Sequence, residues 1–153
     1  MPLKVGEGLL AETFTIFREC GRGRNECVAY WAGSVNEPDV VDRVIHPDHL
    51  GEPGFYEIDQ DWLNRIWFKL NAEKIDIRVQ VHTHHGLAFH SPLDDRFPLM
   101  QTDGFLSLVI PSFAEGPVGL EGTYLAELHA GGTWAELDPS LVLEVGRCRS
   151  TEM

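Results

Sequence analysis

Basic residues are scarce in this chain. Lys and Arg number 12 against 24 Asp and Glu, a formal net charge of −12. Phosphate backbones are bound by clustered Lys and Arg, so the balance argues against nucleic acid as a main partner. It disfavours an anionic membrane surface on the same ground. Long apolar runs are also missing. No stretch approaches the roughly 18 apolar residues that a membrane-spanning helix requires. The opening MPLKVGEGLL has no basic segment leading into a long apolar one, as a signal peptide would. A cytoplasmic location is the resulting expectation. Cysteine is sparse: Cys20, Cys27 and Cys148 are an odd set without a close pairing pattern, unlike a secreted scaffold held by disulfides.

What is present suits one ordinary globular domain spanning residues 1–153. Of the 153 residues, 43% are hydrophobic and 10% aromatic, enough to bury a core without disulfides or a structural metal. Any metal is then expected to serve chemistry. Leu9, Leu10, Phe14 and Phe17 recur at helical spacing over 8–20, and the glycines of GRGRN suit a helix end. Residues 26–32 form a short apolar strand closed by Gly33, and VVDRVIHP at 40–47 reads as a partner strand. The segment 47–57 carries turn residues, with FYE as a possible short strand. Asp59 suits the N-cap of a second helix, with Trp62, Ile66, Trp67 and Leu70 on one face. Ile75, Ile77, Val79 and Val81 alternate inward along a strand over 75–84. A helix should start near Ser91, a buried strand should cover 104–114, and Gly131-Gly132 signals a hairpin. Residues 141–147 read as a last strand. The fold class is α/β (α+β).

Four of the seven histidines lie in VHTHHGLAFHSPLDDRF, between positions 82 and 90. His82 and His84 are two apart near the end of a predicted strand, so their side chains leave the same side and can reach one ion. Asp94 or Asp95 could return as a third ligand. Two histidines and a carboxylate leave one coordination position of a tetrahedral zinc open for water, the arrangement of catalytic sites. The same residues also suit a surface strand end followed by a solvated helix start. His85 and His90 read as exposed loop residues, and His46 and His49, flanking Pro47, as surface. Trp62 and Trp67 read as core. Cys27 has no identifiable histidine partner and is discounted as a nucleophile.

H-T-H, six residues, then S-P-L-D resembles the JAMM (JAB/MPN+) signature H-x-H-x(7)-S-x-x-D. That signature also has an upstream glutamate opening an apolar strand that ends in glycine, as Glu26 opens ECVAYWAG here. The resemblance covers roughly residues 8–130, and within the family the chain looks most similar to small bacterial JAB proteins found beside ubiquitin-like conjugation machinery. The gap from His84 to Ser91 is six residues rather than seven. Asp94 therefore keeps S-x-x-D, whereas Asp95 keeps the usual His-to-Asp distance; Asp94 is preferred.

The resemblance implies a central mixed, curved β-sheet flanked by two to three helices. It implies zinc as cofactor, with His82, His84 and Asp94 as ligands and Glu26 and Ser91 as catalytic residues. Glu26, rather than Glu19 on the first helix, would take a proton from water and return it to the leaving amine. Ser91 would either hydrogen-bond the developing oxyanion or cap its helix. The implied partner is a ubiquitin-like protein or its conjugates, cut after the terminal glycine, alongside activating or conjugating enzymes of the same system. Its tail would bind as an added strand bordered by 77–83 or 104–114. Trimming of a sulfur-carrier protein is the related alternative, and a metal-free scaffolding MPN domain is the non-enzymatic one.

Overall fold

The computed structural model describes residues 2–47, 49–51, 56–89 and 103–146. Two helices carry the amphipathic stretches: α1 (Glu7–Gly21) and α2 (Gln60–Glu73). The Asp59 side chain accepts from the N–H groups of Asp61 and Trp62, as an N-cap should. The end of α1 departs from expectation, since Arg22 rather than a glycine adopts the left-handed cap, at φ 52°. No helix among the described residues is long and apolar enough to cross a membrane.

The strands that position the site are β2 (Val28–Ser34), β4 (Arg43–Ile45), β7 (Ile75–Thr83), β8 (Leu106–Ile110), β9 (Tyr124–His129) and β10 (Thr133–Leu137). They form one mixed sheet in the order β10-β9-β8-β7-β2-β4, with β7 parallel to β8 and the other pairs antiparallel. The Gly131-Gly132 hairpin joins β9 to β10 as its sequence indicates. A second sheet holds β1 (Leu3–Gly6) between β3 (Val40–Val41) and β11 (Leu143–Gly146), all parallel. A short hairpin pairs β5 (His49–Gly51) with β6 (Tyr56–Ile58).

The single strand expected over 40–47 is divided. The Asp42 N–H bonds to the Ala32 carbonyl and the chain crosses from one sheet to the other, so β3 and β4 have different partners. The strand expected over 104–114 stops at Ile110, because Pro111 cannot continue the ladder. A short helical turn, α3 (Pro139–Val142), precedes β11 where only a strand was expected. The helix expected near Ser91 lies outside the described residues.

Both faces of the central strands of the six-stranded sheet are buried. α1 covers one, its Phe14 and Phe17 joining Trp31, Val79, Val81 and Leu108 of the sheet in one core. α2 covers the other, where Trp62, Ile66 and Trp67 pack on Tyr30, Ile75 and Ile77. The expected inward set of β7 is thus split between two cores. The cause is a β-bulge: Trp31 pairs with Val79 but Ala32 pairs with Ile77, leaving Arg78 unopposed. One extra residue reverses every later side chain. Arg78 donates from the bulge to the carbonyls of Ser34, Pro38 and Glu37 at 2.6–3.0 Å. Gly33 fits beside it because a Cβ there would collide with the Val40 carbonyl oxygen and the Arg78 guanidinium. Beyond the bulge, Gln80 and His82 turn to the α2 side of the sheet, the side of Val28 and Tyr30.

Candidate active site

β2 and β7 run antiparallel with Val28 opposite His82. One residue further the Cys27 N–H donates to Thr83 Oγ1 at 3.0 Å, and the Thr83 N–H donates to the Cys27 carbonyl at 3.1 Å. Thr83 thereby grips both backbone polar groups of Cys27. Continuing that register by one step brings Glu26 level with His84. Alternation puts Glu26, His82 and His84 on the same face. All three are buried, at 3%, 0% and 3% exposure, and the two imidazole centroids are 5.3 Å apart. Glu19, by contrast, is exposed on α1.

His84 lies one residue past the end of β7 yet is held as firmly as a strand residue. Its N–H donates to the Ile110 carbonyl at 2.9 Å, and its carbonyl accepts from the Phe113 N–H at 2.8 Å. The second bond depends on an unusual turn. Ser112, Phe113 and Ala114 have φ of 55°, 54° and 61°, three consecutive non-glycine residues in the left-handed region. Each such residue costs about 1–2 kcal/mol, and conformations of this kind persist where the surroundings over-determine them. Here Arg18 clamps the turn, donating to the carbonyls of Ala114 and Gly116 at 2.7 and 2.6 Å. The Ser112 N–H bonds to the Gly86 carbonyl, fixing the start of the next loop.

Two imidazoles and a carboxylate buried on one apolar face fit a divalent transition ion, since such groups need compensation away from water. His82 and His84 would supply two ligands to such an ion. Ser91 and both third-ligand candidates, Asp94 and Asp95, lie outside the described residues, as does His90. His85 and His46 are exposed, as expected. Burial raises the pKa of the neighbouring Tyr30 hydroxyl above the usual tyrosine range, so it stays protonated throughout the working pH range.

Two features of this region were not anticipated. Cys20 and Cys27 are joined by a disulfide, contrary to the unpaired reading of the cysteines. His49, read as surface, is half-buried with Nε2 3.4 Å from Cys20 Sγ. Chain spacing alone does not reveal either: the disulfide closes the turn between α1 and β2, and the His49 contact is made by the β5–β6 hairpin folding back over residues 25–26. Gly51 permits that approach: a Cβ there would strike the Glu26 carbonyl oxygen.

Thr83→Val is expected to leave the Cys27 N–H without its acceptor, costing about 1–3 kcal/mol in chemical denaturation. Thr83→Ser should restore most of that loss, and a neutral Thr83→Val would refute the anchoring role.

No protein-family model matches the chain. A curated probable metalloprotease of Sinorhizobium fredii is 30% identical over 131 residues, spanning 82% of this chain and 80% of its own length. A solution structure from Desulfitobacterium hafniense superposes with a TM-score of 0.70 at 18% identity, over 95% of this chain and 94% of that one. A JAB1/MPN domain protein of Archaeoglobus fulgidus superposes with a TM-score of 0.52 at 17% identity, over 94% and 97%.

Proposed function

Because the chain belongs to the JAMM (JAB1/MPN) metalloprotease family, we propose that it is a zinc-dependent isopeptidase or peptidase cutting after the C-terminal glycine of a ubiquitin-like protein. The observation that carries the proposal is the placing of Glu26, His82 and His84, all buried, on one face of the β2–β7 pair. His82, His84 and Asp94 are the ligands we assign, with Asp95 as the competing carboxylate. Zinc at such a site supplies Lewis acidity, bringing the pKa of water down to about 7 and polarising a carbonyl.

The chain's own groups do the rest. Glu26 accepts a proton from the attacking water and delivers it to the amine as the C–N bond breaks. Its backbone position is set by the Cys27–Thr83 pair next to it. Ser91 is assigned as the hydrogen-bond donor to the carbonyl oxygen as negative charge develops there. The apolar surroundings, including Val28 and Val109, keep these groups away from bulk water and strengthen their interactions.

An extended tail needs an unpaired strand edge or a loop to bind against. Of the segments expected to border the tail, 77–83 and 104–114, the strands they contain, β7 and β8, each already have a neighbouring strand on both sides in the sheet. The accessible flank is instead the segment after His84. There Leu87 and Phe89 are 85% and 47% exposed, and the Phe89 ring stands edge-on to His84 at 4.6 Å. We assign these two side chains to contact with the modifier tail.

The test is a panel of ubiquitin-like proteins carrying C-terminal extensions or isopeptide-linked lysine peptides. Cleavage directly after the terminal glycine is expected, abolished by a zinc chelator and restored by added zinc. A metal-loaded protein that cuts none of them, or cuts unrelated peptides equally well, would overturn the substrate assignment.

A further inference from the structure

We propose that Cys20 and Cys27 in their reduced form, together with His49, make a second divalent-metal site, suited to zinc and separate from the His82–His84 centre. The Sγ atoms of both cysteines and a ring nitrogen of His49 all lie within 4.8 Å of one another. They come from three parts of the chain: the last turn of α1, the residue before β2, and the first residue of β5. Cys27 is buried with Ala29 and Trp31 on the α1 side of the sheet, opposite the face of His82.

The donor state of His49 is fixed by its other nitrogen. Nδ1 lies 3.0 Å from the Pro47 carbonyl oxygen. A carbonyl only accepts, so Nδ1 carries a proton, and in the neutral form of the ring the bare lone pair is at Nε2. That lone pair faces Cys20 Sγ at 3.4 Å. A disulfide sulfur has no proton to share with it, whereas a thiol or a thiolate-bound ion completes the contact. A histidine whose second nitrogen donates to a backbone carbonyl is the arrangement that orients metal-binding imidazoles. His46 is the fourth donor we assign. Its ring centroid is 5.3 Å from that of His49, the same separation as between His82 and His84. It is exposed and would turn inward to bind.

The disulfide and the metal are alternative occupants of the same sulfurs. A dithiol reductant supplies two electrons and two protons, becoming a disulfide itself and leaving Cys20 and Cys27 as thiols. Zinc then displaces two protons to form two Zn–S bonds. In a reducing compartment a cysteine pair of this kind is held as thiols and is available to metal. The disulfide ties α1 to the backbone beside Glu26; the metal would tie β5 to it as well, through His49.

The inference does not rest on the proposed function, and its test can be run without that site. The full chain carrying His82→Ala, His84→Ala and Cys148→Ser is reduced with a phosphine under anaerobic conditions and titrated with Co2+, then with Zn2+. The expected result is about one Co2+ per chain with an intense near-ultraviolet thiolate-to-cobalt band, displaced by Zn2+. The oxidised chain should show no such band. Adding His49→Ala should weaken binding at least ~10-fold; this variant keeps both cysteines, and its circular dichroism reports whether it folds. Absence of the thiolate band in the reduced, folded chain, or His49→Ala binding as tightly as its parent, would overturn the proposal.

Discussion

Glu26→Gln is expected to slow amide cleavage by about 10²–10⁴-fold, the usual contribution of a positioned general acid–base group, while leaving the metal bound. The substitution preserves the volume and most hydrogen-bonding capacity of a side chain only 3% exposed. What it removes is the capacity to take a proton from water and hand it on. The backbone at this point is held from both sides: by the Cys27–Thr83 pair and by Gly51, which closes over the Glu26 carbonyl. The expected loss is therefore chemical rather than conformational, and kcat should fall with KM little changed. Metal content and substrate turnover measured on the same preparation separate the outcomes. Unchanged turnover would remove Glu26 from the mechanism, and loss of metal would make it a ligand.

His82→Ala should instead abolish both metal binding and turnover. Outer partners of metal ligands cost about 10–100-fold in affinity when mutated, so a ligand itself should cost at least ~100-fold. His82 is fully buried in the middle of the sheet, opposite Val28 and beside Val109. It is replaced by a smaller side chain, so the fold should lose some stability but persist. His85→Ala, at an exposed position of the same run of histidines, should change neither property. The same assay assigns the third ligand. Asp94→Ala should lose the metal and Asp95→Ala should keep it; the reverse would place the ligand at Asp95.

The parts of this arrangement that were legible in the sequence are those set by local rules. α2 starts at its Asp59 cap, β7 follows a β-type run, and β9 and β10 meet at a glycine pair. The H-T-H spacing projects two imidazoles to one side wherever a strand carries it, and the structure has that strand. The parts that were not legible depend on distant segments. The Arg78 bulge leaves the alternation of β7 intact on paper, yet it exchanges which residues face α1 and which face α2. β1 is four residues long and gains its identity only from parallel partners at residues 40–41 and 143–146. The left-handed turn at Ser112–Ala114 goes against the preference of all three residues and is sustained by Arg18 from another element. Cys20, Cys27 and His49 carry no recognisable spacing, and His49 reaches the cysteine pair because the β5–β6 hairpin folds over residue 26. In each case the residue chemistry was visible and the juxtaposition was not.

The most direct test of the central claim is the metal content of the purified chain with the Cys20–Cys27 disulfide intact, alongside its His82→Ala/His84→Ala variant. About one zinc ion per wild-type chain and none in the variant is the result expected of a catalytic JAMM centre. A folded wild-type chain that holds no metal even after zinc is supplied, or a variant that retains it, would contradict the account.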